Sequence, residues 1–69
     1  MLNRLKRGRL AKGMTQTETA KCLGVSPVAV YKWENNLSYP RPGTLKRLAD
    51  LYGITVDYLL DDPDRKGVD

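Results

Sequence analysis

Residues 15–36, TQTETAKCLGVSPVAVYKWENN, constrain the fold more than any other stretch. Thr15 and Glu18 stand at the Thr-x-x-Glu spacing of a capping box, in which each side chain satisfies a backbone amide at a helix start. The helical pattern then runs through Ala20 to Leu23 and stops at Gly24. Two residues later Ser26, a strong N-cap, precedes Pro27, well suited to the first helical position because no amide donor is needed there. A second helix follows to about Asn35, with Val30 and Trp33 facing inward above Val25. Two short helices with a tight Gly24-Val25 turn between them are the result, and the small Ala20 lets them cross closely. Thr19 stands where an aliphatic residue is expected, which predicts looser packing of the first of the two.

The rest of the chain must hold this pair, and it has few means of doing so. At 69 residues it is one small domain, near the lower limit for a single core. Cys22 is the only cysteine and there is no histidine, which excludes a disulfide framework and an ordinary zinc site. Cys22 itself reads as an inert, partly buried thiol, consistent with a reducing, cytoplasmic setting. No apolar run approaches the roughly 20 residues of a membrane span, and no signal-peptide core follows Met1.

Strand signals are nearly absent, so the expected fold is all-α with five helices. The first spans about residues 2–12 and stops at Gly13, with Leu2, Leu5 and Leu10 toward the core. Gly8 in its interior costs about 1 kcal/mol relative to alanine and predicts a weak first helix. The fourth runs over residues 44–52, with Leu45, Leu48, Ala49 and Tyr52 on one stripe before Gly53. Residues 36–43, NLSYPRPG, read as a loop. Thr55 caps a short fifth helix from Val56 to about Leu60. Residues 1–61 thus form the domain and residues 62–69 a flexible polar tail.

Two charges fall on the wrong side. Arg9 lies four residues after Leu5, and Glu34 four after Val30, so both project toward the core. An unpaired buried charge is costly, which makes each the candidate partner of the other. The remaining charge is unevenly spread. Residues 1–35 carry seven Lys/Arg against two acids, and residues 36–69 five against six, within a net charge of +4. A basic front suits a polyanion, although a solvated basic face would look the same.

Helix, glycine turn and capped second helix form the helix-turn-helix plan. The chain resembles the Cro/repressor-type, or Xre-type, helix-turn-helix family of phage and bacterial regulators. The resemblance rests on MTQTETAKCLGVS, on WENN and on GITVDYLL, and extends from Leu2 to about Leu60. It implies a five-helix, phage-repressor-like DNA-binding domain whose third helix enters the major groove. Base-reading positions then fall on Pro27, Val28 and Lys32, with Ser26 and Tyr31 beside them. Lys32 can donate to guanine O6 and N7 or simply meet a phosphate, and Val28 can pack on a thymine methyl. Phage repressors that the chain resembles carry amides at the first two of these positions, so their base code does not transfer to Pro27 and Val28.

By the same resemblance, Gln16 binds a phosphate from its helix N-terminus, or else is a plain exposed glutamine. Asn35 and Arg41 are further backbone contacts, and Arg9 pairs with Glu34 and also presents itself to the DNA backbone. Arg4, Lys6 and Lys12 add longer-range steering. Leu37, Tyr39, Val56, Tyr58 and Leu59 are the residues implied for a homodimer interface. Core packing explains Leu59 or Leu60 equally well.

The expected function is a sequence-specific, double-stranded-DNA-binding transcriptional regulator, a repressor on a palindromic operator. The alternative is an antitoxin or anti-regulator whose main partner is a protein. Such a module needs an extension to wrap its partner, whereas only residues 61–69 follow the last helix, and Met1 with a short tail points to a complete regulator. Without a histidine or an acid pair in an evident cleft, no catalytic nucleophile, base and orienter can be assembled, so an enzyme is not expected. No cofactor, metal, membrane or small-molecule effector is expected either.

Overall fold

In a computed structural model, residues 3–61 are described. They form five helices: α1 (Arg4–Ala11), α2 (Gln16–Leu23), α3 (Pro27–Glu34), α4 (Pro42–Tyr52) and α5 (Val56–Leu60). There is no strand among the described residues. Leu2 and the proposed tail, residues 62–69, lie outside them.

The start signals read from sequence act as written. Thr15 Oγ1 accepts from the Glu18 amide at 3.0 Å while Glu18 Oε1 accepts from the Thr15 amide at 2.8 Å. Ser26 Oγ accepts from the Ala29 amide at 3.3 Å, and Thr55 Oγ1 from that of Tyr58 at 3.0 Å. The turn after α2 closes through Gly24 at φ 71°, where the Val25 amide donates back to the Ala20 carbonyl at 3.0 Å. The end of α3 has the same geometry without a glycine. Asn36 takes φ 58° and lets the Leu37 amide reach the Lys32 carbonyl at 2.9 Å. Asparagine tolerates this left-handed region better than most residues.

Leu5, Leu23, Leu45, Leu48, Ala49, Tyr52 and Leu59 make the core, with Trp33, Val25 and Ile54 packed at its edges. The stripe predicted for α4 is buried as a unit. Three expectations need correction. Leu10 is 48% exposed; five residues beyond Leu5, it falls off that residue's face at 3.6 residues per turn. Helix α4 begins at Pro42, inside the stretch read as loop, because Pro42 occupies the favoured first position and Arg41 serves as N-cap residue without a side-chain bond. Cys22 is exposed rather than partly buried.

Gly8 and Thr19 gain reasons that the sequence conceals. A Cβ on Gly8 would stand 2.9 Å from Tyr52 Cδ2 and 3.2 Å from Tyr52 Cβ, so the glycine is what lets α4 lie against α1. Helix propensity lost at Gly8 is thus offset by packing. Thr19 is fully buried, and the Tyr52 hydroxyl donates to its Oγ1 at 3.4 Å. Burial pushes the Tyr52 hydroxyl above its ordinary pKa, against the opposing effect of the Thr19 bond. No described helix is long and apolar enough to cross a membrane.

Candidate nucleic-acid interface

Helix α3 is fixed from three directions. Val30, 1% exposed, anchors its inner side. Glu34, near its end, accepts from Arg9 Nε at 2.7 Å through Oε2 and from Arg9 Nη2 at 3.0 Å through Oε1. This is the two-pronged geometry that suits a guanidinium to a carboxylate. Arg9 Nη1 donates to the Met14 carbonyl at 2.9 Å, so all three guanidinium nitrogens have partners within the protein. The pair is buried, with side chains 8% and 1% exposed. Hydrogen bonding to Glu34 raises the Arg9 pKa further, overcoming the opposing effect of burial, so its positive charge does not titrate in any usable range.

The third restraint is Asn3, which the sequence reading passed over. It is 2% exposed and does two jobs. Its Oδ1 caps α1 by accepting from the Lys6 amide at 2.9 Å. Its Nδ2 donates to the carbonyls of Trp33 and Glu34, both at 3.0 Å, in the last turn of α3. One side chain therefore closes the start of α1 and the end of α3. The available signal was an asparagine one residue before the first charged turn, a favoured N-cap. Placing the helix start at Leu2 concealed it.

Across the turn, Gln16 Nε2 donates to Glu34 Oε1 at 3.1 Å. Gln16 is half-buried at the N-terminus of α2 with its amide orientation set by the same carboxylate that holds Arg9. Arg47 was also missed. Its guanidinium donates to the carbonyls of Leu23 at 3.2 Å and Cys22 at 3.3 Å, satisfying the C-terminal end of α2.

The outer side of α3 carries the other expected residues. Ser26, Pro27, Val28, Tyr31 and Lys32 are all exposed, Val28 at 59% and Tyr31 at 50%. Asn35 is exposed too, with Nδ2 donating to the Tyr31 carbonyl at 2.8 Å. Arg41 is exposed at the N-terminus of α4, where the positive end of the helix dipole adds to its charge. Arg9 is buried, with three of its five N–H donors bonded inside the protein, so the structure places it in the pair with Glu34.

The residues expected at a dimer interface divide. Leu37 is 65% and Tyr58 39% exposed, while Tyr39 and Val56 are half-buried against the core. Leu59 is 1% exposed and belongs to the core, whereas its neighbour Leu60 is 51% exposed. Arg4, expected to steer at long range, also has a defined place on α5. Its guanidinium carbon lies 4.1 Å from the Tyr58 ring centroid and Nη1 donates to the Tyr58 carbonyl at 2.7 Å.

Comparison with known proteins agrees with this geometry. A helix-turn-helix family model matches residues 5–59. The chain is 37% identical over 57 residues to the HTH-type transcriptional activator BcrR of Enterococcus faecalis, covering 83% of this chain and 28% of that protein. It is 37% identical over 57 residues to the HTH-type transcriptional regulator ImmR of Bacillus subtilis (strain 168), covering 83% and 45%. An SPbeta prophage-derived uncharacterized HTH-type transcriptional regulator, YonR of the same strain, is 35% identical over 57 residues, covering 83% and 53%. The chain therefore spans about half or less of the length of these curated relatives. No solved structure gives a significant match. Fold, capped turn and family match together show that this chain belongs to the Xre-type helix-turn-helix family.

Proposed function

We propose that this chain is the sequence-specific, double-stranded-DNA-binding part of a transcriptional regulator, and that it binds a palindromic operator as a homodimer. The observation that carries the reading is the outer side of α3. A helix held by Val30, by the Arg9–Glu34 pair and by Asn3 leaves Pro27, Val28, Tyr31 and Lys32 exposed, within a half-chain of strongly positive balance. A rigid, exposed helix of this width fits a major groove. The names of the three relatives, all HTH-type transcriptional regulators or activators, support the same reading.

Within it, Lys32 donates to guanine O6 and N7, and Ser26, Pro27, Val28 and Tyr31 meet neighbouring base edges. Gln16, Asn35 and Arg41 take phosphates and set the register. Leu37, Tyr39, Val56 and Tyr58, with Leu60 in place of the buried Leu59, pair two copies so that their recognition helices lie about 34 Å apart. Occupying a promoter is enough to repress it, so repression is the simplest output. Activation is the second reading, favoured by the name of the activator BcrR, and it requires an additional contact with the transcription machinery.

Selection of bound duplexes from random DNA tests the proposal, and should return a two-fold symmetric site. On that site Lys32→Ala should lose discrimination at one or two base pairs, worth about 1–3 kcal/mol. Gln16→Ala should instead weaken binding to all sequences about equally. Identical behaviour of the two variants, measured over a panel of single-base changes, would refute this division of roles.

A further inference from the structure

The outer face of α3 is poor in groups that read hydrogen-bond patterns. Its eight residues, PVAVYKWE, include no asparagine, glutamine or arginine, and Lys32 is the one side chain among them suited to a two-pronged contact with a base, at guanine. Polar residues at its margins each have one group committed within the protein. Ser26 Oγ accepts from the Ala29 amide at 3.3 Å, Asn35 Nδ2 donates to the Tyr31 carbonyl at 2.8 Å, and Gln16 Nε2 donates to Glu34 Oε1 at 3.1 Å. The outward groups left on α3 are the Lys32 ammonium, the Tyr31 hydroxyl, and apolar surface from Pro27, Val28 and the Tyr31 ring. Residues 28, 31, 32 and 35 share one helical face, so this apolar surface lies where the groove floor would be met.

Base edges in the major groove offer one apolar group, the methyl at pyrimidine C5. Resting on the duplex-binding reading above, we infer that Pro27, Val28 and Tyr31 form a methyl-reading surface. It selects C5-methylated pyrimidines, thymine or 5-methylcytosine, by apolar contact rather than by the hydrogen-bond pattern of the base. Positive charge in the same half of the chain supports DNA, rather than a second apolar protein surface, as the occupant. At a step read in this way, thymine and 5-methylcytosine are equivalent because the methyl is shared. Uracil and cytosine are both poor, because each lacks it.

The test uses the best duplex from random selection, with each thymine of both half-sites replaced in turn. Affinity is read by fluorescence anisotropy. Uracil at one or two positions per half-site should weaken binding about three- to tenfold per methyl removed. Cytosine there, with guanine placed opposite, should be at least as poor, and 5-methylcytosine in the same pair should restore most of the loss. Val28→Ala should shrink the uracil penalty at its own step while the salt dependence stays unchanged. Tight binding that is indifferent to uracil at every position would overturn this inference alone. So would 5-methylcytosine performing no better than cytosine, or Val28→Ala altering the oligomeric state with the uracil penalty intact. An empty selection would overturn the duplex-binding reading as well.

Discussion

Glu34→Ala is expected to destabilise the domain by about 3–5 kcal/mol, read as a fall in the urea midpoint at unchanged slope. The cause is the charge left behind. Arg9 is 7% exposed, and removal of Glu34 would strand its guanidinium with only the Met14 carbonyl as an acceptor. Gln16 would lose its anchor in the same step. Folded domains have only about 5–15 kcal/mol in total, so a chain this small would be largely or wholly unfolded on warming. Replacing both partners with apolar residues of similar volume, Arg9→Met with Glu34→Leu, should recover most or all of the loss, because no buried charge is then uncompensated. That double variant should fold yet bind DNA poorly, since nothing orients Gln16. A single Glu34→Ala variant as stable as the parent would show that the pair carries no energetic weight.

Asn3→Ala is expected to cost about 2–3 kcal/mol, the sum of a lost helix cap and of carbonyls left short of a buried donor. The two parts can be separated. Asn3→Ser keeps an oxygen that can cap α1 but cannot reach the Trp33 and Glu34 carbonyls, so it should recover about 1 kcal/mol of the loss. The expected order by chemical denaturation is parent, then serine, then alanine. Equal stability of the serine variant and the parent would mean that the tie between α1 and α3 contributes nothing.

These two variants also mark what could be read from sequence and what could not. Glu34 and Arg9 were legible because a charge on an apolar stripe is a conflict, and two such conflicts suggest each other. Caps were legible for a local reason: Thr15, Ser26 and Thr55 act on amides no more than three residues away. Asn3 was not, because its second job spans 31 residues of sequence. Gly8 looked like a defect for the same reason, since the ring of Tyr52 that requires it belongs to another helix. At α5 the difficulty is length. Five residues give too little periodicity to decide between Leu59 and Leu60, and the structure buries the first and exposes the second. Proline misled at α4, where Pro42 signalled a loop by composition but a helix start by position.

The candidate site divides along the same line. Outward positions of α3 follow from its cap and its buried residues, which leave Val28, Tyr31 and Lys32 outside, whereas Pro27 entered the base-reading set only through the family resemblance. Side-chain commitments did not follow. Gln16 is held by Glu34, and Arg9 is buried and makes three internal bonds. The domain is therefore proposed to meet the DNA backbone through Gln16, Asn35 and Arg41, with Arg9 acting only behind them.

The most direct test of sequence-specific DNA binding through α3 is the affinity for the selected duplex and for its scrambled counterpart, measured from 50 to 200 mM salt. Log affinity should fall linearly with log salt, by about 0.9 per phosphate neutralised, and the selected duplex should stay about 10³-fold or more ahead. A flat salt dependence, or equal affinity for the two duplexes, would contradict it.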